Sequence, residues 1–151
     1  MDILFDKSYA PVGLATINRP NKLNAFRKET FVGLLEIIDE FAATADLRIL
    51  ILTGNGRAFS SGADLGSIGQ NPTEANMLEE LELMQEVTRR MLACPKPLIA
   101  MMNGLAVGVG VELAMCCDLR FAASESWISF TEVRRGLFQT NASMFILPRL
   151  V

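Results

Sequence analysis

Residues 98–123 read LIAMMNGLAVGVGVELAMCCDLRFAA, and the division of this run decides the fold. Taken whole, residues 97–117 are apolar enough to suggest a membrane span. They nevertheless contain Asn103, Glu112 and three glycines, Gly104, Gly108 and Gly110. A charged residue at mid-membrane costs about 2.5–3.5 kcal/mol even on the lenient insertion scale. The run is therefore read as a buried strand over 98–102, a glycine-rich connection, a short apolar helix over 109–117 and a short strand over 119–122.

Working outward, the same alternation continues in both directions. VGLATI at 12–17 is apolar on both faces, as in a strand covered on both sides. Asn18, Arg19, Pro20 and Asn21 break it. Phe31, Leu34, Leu35, Ile38 and Phe41 recur at helical spacing and predict an amphipathic helix over 25–43. LRILILT at 47–53 reads as a buried strand closed by the turn Gly54-Asn55-Gly56. A small-residue loop follows over 58–69. Met77, Leu81, Met84, Val87 and Met91 then define a helix over 72–93, with Pro95 and Pro97 just beyond it. Residues 127–130 read as one more short strand. Strands thus alternate with helices, which predicts an α/β fold with right-handed crossovers in a single domain over 1–151. Residues 141–151 read as helix interrupted at Pro148, ending without a Gly or Asn cap, so a truncated C-terminus is expected.

Composition narrows the chemistry. The 151 residues are 50% hydrophobic and 21% charged, with a net charge of −3 and no block of Lys and Arg. A nucleic-acid surface is not expected. With no histidine, Ser-His and Cys-His pairs and His-based metal sites are excluded. Acid–base chemistry falls to carboxylates, Lys, Tyr or Cys. Cys94, Cys116 and Cys117 show no CxxC spacing and read as reduced, mostly buried thiols of a cytoplasmic protein. The N-terminus MDILFD lacks the charged-then-apolar pattern of a leader.

Two constellations can carry chemistry. GRAFSSGADL at 56–65 directly follows a buried strand. It is either an ordinary surface loop or a loop whose small residues let backbone N–H groups approach a ligand. NGLAVGVGVE at 103–112 joins a strand to a helix N-terminus. Its glycines serve either close packing or an anion site made by the free N–H groups of the first turn. No Gly-Lys-Ser/Thr follows, so it is not a P-loop. Glu112 sits in that first turn amid Val, Leu, Ala and Met. A carboxylate there is costly unless partnered, so it is read as functional, the alternative being a satisfied structural group. Glu132 follows the last short strand; the competing reading is a surface ion pair with Arg134 and Arg135.

NRPNKLNAF (18–26), GRAFSSGADL, NGLAVGVGVELAMCCDLRFAA (103–123) and ISFTEVRRGL (128–137) resemble, in order, the successive motifs of the crotonase (enoyl-CoA hydratase/isomerase) superfamily. The resemblance spans most of the chain. It implies a coiled series of β-β-α units whose C-terminal helical segment is missing here. It also implies a homotrimer or hexamer in the full-length protein. The backbone N–H groups of Ala63 and Val109 would form an oxyanion hole for a thioester carbonyl. Lys22, Asn24, Ala25, Ser61, Asp64 and Leu65 would lie near coenzyme A, which enters as part of the acyl-CoA substrate; no permanently bound cofactor or metal is implied. Glu112 and Glu132 occupy the two positions where the superfamily's hydratases carry catalytic glutamates.

Adding water across a 2-enoyl thioester needs electron density drawn onto the carbonyl oxygen, and two backbone donors supply that pull. Two carboxylates flanking one water can remove one proton and deliver another without histidine. A Δ3→Δ2 double-bond shift needs only one base beside the α-carbon and the same hole. A non-catalytic acyl-CoA or protein-binding member of the fold is the alternative from another class. Val109 stands where the superfamily often has glycine, and its β-branched side chain crowds the pocket. Phe138-Gln139-Thr140-Asn141 replaces the usual glycine-bearing turn.

Overall fold

The computed structural model describes residues 1–66 and 73–151, the side chain of Arg135 excepted. In chain order the strands and helices are β1 (Ile3–Asp6), β2 (Val12–Ile17), α1 (Lys28–Ala43), β3 (Ile49–Gly54), β4 (Ala58–Ser60), α2 (Glu74–Leu92), β5 (Leu98–Met102), β6 (Leu105–Val107), α3 (Val109–Met115), β7 (Leu119–Ala122), β8 (Ile128–Ser129) and α4 (Ser143–Leu150). Two 3₁₀ turns, Pro20–Lys22 and Glu132–Arg135, complete the path.

The apolar runs ILILTG and LIAMM pair in parallel as β3 and β5, with Leu50 opposite Leu98 and Leu52 opposite Ala100. They form the middle of a five-stranded sheet ordered β1-β2-β3-β5-β7. Only the β1–β2 pair is antiparallel. A second sheet, β4-β6-β8, is parallel throughout. After β1 and β2, which both join the larger sheet, each coil gives one strand to each sheet, as in β3–β4–α2 and β5–β6–α3. This is the β-β-α series that the resemblance implied.

The simple strand–helix alternation read from the sequence is corrected at three points, where β1, β4 and β6 add strands. β4 and β6 have three residues each, too few to show a period of two. Residues 58–60, expected within a loop, are wholly buried strand. The helix expected from residue 25 begins at Lys28. Leu23 and Asn24 hold left-handed backbone, with φ of 49° and 57°, which a helix cannot continue. The helix expected over 109–117 ends at Met115. The expected start of α2 at Pro72 lies outside the described residues. Within them Thr73 caps that helix, its Oγ1 accepting the Asn76 N–H at 3.2 Å. Pro148 does not interrupt α4 but lies inside it. It forfeits the bond to the carbonyl of Met144, a residue on the exposed side of the short helix.

The core sits between the larger sheet and the two long helices. Phe31, Leu34, Ile38 and Phe41 of α1 meet Leu50, Leu52 and Leu98 of the sheet and Met84, Val87 and Met91 of α2. Each fully buried side chain of this kind is worth about 1.5–3 kcal/mol. Among the described residues no helix is long and apolar enough to cross a membrane.

The left-handed bend at 23–24 is held by a buried amide. Asn24 is 0% exposed, and its Nδ2 donates to the carbonyls of Ala58 at 2.7 Å and Asn55 at 2.9 Å. Its Oδ1 accepts the Arg19 N–H at 2.9 Å. Removing this side chain strands buried backbone groups, at about 1–3 kcal/mol for each group left unpaired. Asn24→Ala is expected to lose at least about 2 kcal/mol in urea unfolding, and exposed Glu36→Ala no more than about 0.5 kcal/mol.

Candidate active site

The end of β4 and the turn from β6 into α3 meet backbone to backbone. Gly62 has φ of +94°, and a Cβ there would lie 2.9 Å from the Val107 carbonyl oxygen. Only glycine permits both the conformation and the approach. The result is that Ala63 and Val109 share one wall of a cavity of about 790 Å³. Among the described residues no acceptor takes the N–H of either. Val109 opens α3, where the first N–H groups have no intrahelical partner.

Glu112 and Glu132 line the same cavity. Glu112 is 2% exposed, on the first turn of α3. Burial pushes its carboxyl above the ordinary value, and the nearby Glu132 charge adds to this. The Ser143 hydroxyl, which donates to Glu112 Oε1 at 2.6 Å, pulls the other way, as do the N–H groups of Ser143 and Asn141. The carboxylate of Glu132 reaches over Gly108, where a Cβ would lie 3.0 Å from Oε1. Its Oε2 is buried without a hydrogen-bond partner. Among the described residues no ion pair joins Glu132 to Arg134; the Arg135 side chain, the other half of the surface-pair reading, lies outside them.

The remaining sequence candidates divide. Ser61 and Leu65 line the cavity with Ala63. Lys22 is exposed at the rim, close to Ser61, whose hydroxyl donates to the Lys22 carbonyl at 3.2 Å. Asn24 and Ala25 are buried beneath that rim, so Asn24 shapes the loop and offers no surface to a ligand. Asp64 is committed to Arg19, whose Nη2 donates to Oδ2 at 2.9 Å. Arg19 also donates to the Ala25 carbonyl at 2.5 Å, tying the two loops together.

Sequence reasoning missed Glu80, Ser143 and the organising role of Arg19. Glu80, on α2, lines the cavity, and burial followed by the Asp64 charge pushes its carboxyl up. Nothing in its surroundings separates it from the other glutamates of EELELMQE. Behind Glu112, burial pushes the Cys116 thiol up to about 12 and raises that of Cys117 as well, so both are neutral.

A family model described as Enoyl-CoA hydratase/isomerase matches residues 7–151. The chain belongs to this family. The crotonyl-CoA hydratase of Syntrophomonas wolfei is 43% identical over 139 residues, 89% of this chain and 52% of its own. Among solved structures, enoyl-CoA hydratase of Bacillus anthracis superposes with a TM-score of 0.95 at 29% identity, covering all of this chain and 58% of that one. DspI of Pseudomonas aeruginosa gives 0.93 at 29% identity, over 99% of this chain and 56% of that one. The hydratase/isomerase chain spans about half the length of the curated relatives it matches, 57%, 52% and 55% for three of them. The crotonase fold expected from the motifs is thus the fold that it has.

The Arg19–Asp64 pair sets an acid limit. Its hydrogen bond holds the Asp64 carboxyl below the ordinary 3.8. Stability from a depressed carboxyl is present above the unfolded value and lost as pH falls through the folded one. Unfolding free energy is expected to drop below about pH 4. The drop should be shallower in Asp64→Asn, measured by urea titration at pH 5 and pH 3.

Proposed function

We propose that this chain carries the active site of an enoyl-CoA hydratase, which adds water in the syn sense to a 2-enoyl-CoA. The observation that carries the reading is one cavity lined by two carboxyl groups, Glu112 and Glu132, together with Ala63 and Val109, whose N–H groups no acceptor takes among the described residues. In this reading the thioester oxygen accepts hydrogen bonds from both N–H groups, which draws electron density away from the β-carbon. A water between the carboxyl groups attacks that carbon. One carboxylate takes its proton as the C–O bond forms; the other carboxyl gives a proton to the α-carbon as the enolate collapses. The two groups have then exchanged protonation states, and solvent restores them. The nucleotide of coenzyme A lies at the rim formed by Lys22 and Ser61. Apolar side chains exposed on β7, β8 and α4, among them Phe121, Ile128 and Phe145, are assigned to subunit packing in a trimer or hexamer.

Loss of enone absorbance from a short 2-enoyl-CoA tests the activity. Glu112→Gln and Glu132→Gln are each expected to lower turnover by about 10²–10⁴ with thioester affinity largely kept. A silent Glu132→Gln beside an inactive Glu112→Gln would replace the hydratase by a one-base isomerase; two silent variants would leave a binding protein.

The oxyanion hole has a separate test, since side-chain truncation leaves a backbone donor in place. Val109→Pro removes one N–H at the first helical position, where proline is tolerated. Turnover is expected to fall by about 10²–10³, with thioester affinity changing less. A folded Val109→Pro protein with unaltered turnover would show that this N–H does not polarise the thioester.

A further inference from the structure

The unusual turn after Leu137 does not leave its polar groups in solvent. Gln85 of α2 donates from Nε2 to the Thr140 carbonyl at 3.0 Å, and Thr88 donates from its hydroxyl to Asn141 Oδ1 at 2.6 Å. These bonds press the turn against α2. Ala142 and Ser143 are thereby buried, Ser143 to 1% exposure. Its Oγ stands 2.6 Å from Glu112 Oε1 and 3.2 Å from Gln139 Oε1. A hydroxyl has one proton to give, and the shorter, charge-assisted bond to Glu112 takes it. Turning the Gln139 amide over leaves its shape unchanged and makes its Nε2 a donor to Ser143. A donor chain then runs Gln139→Ser143→Glu112.

The terminal torsion of a glutamate is broad, and packing alone defines it poorly. A short bond from a side chain that cannot itself move defines it well. We propose that Ser143 is a positioning residue of this active site: its hydroxyl, oriented by Gln139, holds the Glu112 carboxyl group in place at the cavity. The catalytic part of this inference rests on the hydratase reading above; the coupling of Ser143 to Glu112 does not. Among the described residues, the charged and titratable groups that face Glu112 are Glu132 and Arg134 from the 3₁₀ turn, Glu80 from α2 across the cavity and Cys116 on its own helix. The segments of β4, β5 and β6 packed on α3 carry none. Ser143 is the group whose removal takes a donor from Glu112 and adds no charge.

The test uses Ser143→Ala in the intact protein, with folding checked by circular dichroism. Titration of Glu112, followed through the Cδ resonance in ¹³C-glutamate-labelled protein, should move to higher pH, because the lost bond favoured the ionised form. With a 2-enoyl-CoA, KM should hold while kcat falls on the order of 10–100-fold, the worth of a hydrogen bond to a charged group. The acid limb of the pH–rate profile should move up with the titration. In a Glu112→Gln background the same substitution should have little further effect on kcat, whereas a merely structural role would cost as much as before. If Ser143→Ala does not fold, Ser143→Cys, which keeps the volume with a weaker donor, is read in the same way. A folded variant with an unmoved Glu112 titration overturns the proposal. A moved titration in a protein that hydrates no 2-enoyl-CoA sustains the coupling and overturns the hydratase reading instead.

Discussion

Where β4 ends, Gly62 lies so close to Val107 that no side chain fits between the two backbones. Gly110, one turn further on, would place a Cβ 2.8 Å from that of Ser60. The smaller sheet and α3 are therefore locked by main-chain contact, which is stiffer than packing through long side chains. Everything at the cavity inherits this constraint. Ala63 and Val109 line a common space because the segments that carry them, the chain leaving β4 and the turn from β6 into α3, touch. Glu112 reaches the same space because it stands one turn along the helix that starts there. Separating the two segments by even a methyl group would part the donors and move the carboxylate with them.

The carboxyl groups of Glu112 and Glu132 line the same cavity in largely apolar surroundings. Isolated ionised groups would not be tolerated there. Glu112 is stabilised by bonds from the turn after Leu137, while Glu132 keeps one buried oxygen without a partner. An unsatisfied polar atom of this kind persists where the fold around it is over-determined, and such positions gather at functional sites. The buried thiols of Cys116 and Cys117, held neutral, add no competing charge behind the helix.

The rim depends on a different economy. The loop at 20–25 carries consecutive left-handed residues that gain little from local propensity. It is held from below by Asn24 and from the side by Arg19, which joins the Ala25 carbonyl to Asp64. Buried amide and guanidinium bonds of this sort specify one loop conformation more sharply than apolar contact does. The result is a firm edge, from Lys22 to Ser61, beside an apolar cavity.

How far this could be read in advance follows from the range of each interaction. The α/β class, the buried strands at 12–17 and 98–102, and the helices around Phe31 and Met84 were legible because apolar periodicity is local. The motifs bearing Ala63, Val109, Glu112 and Glu132 were legible through their resemblance to the crotonase superfamily, because small residues beside a strand suit an ordinary loop equally well. The strands at 58–60 and 105–107 were not, since three residues cannot show a period; nor was the clamp of Asn24, whose two acceptors, on Asn55 and Ala58, lie over thirty residues away. Ser143 is separated from Glu112 by thirty-one positions. Sequence alone determined the family and the α/β class, because motifs and apolar periodicity are written in neighbouring residues. Tertiary structure decided which groups face one cavity and which bonds hold them there, because those bonds join segments that only the coiled path of the chain brings together.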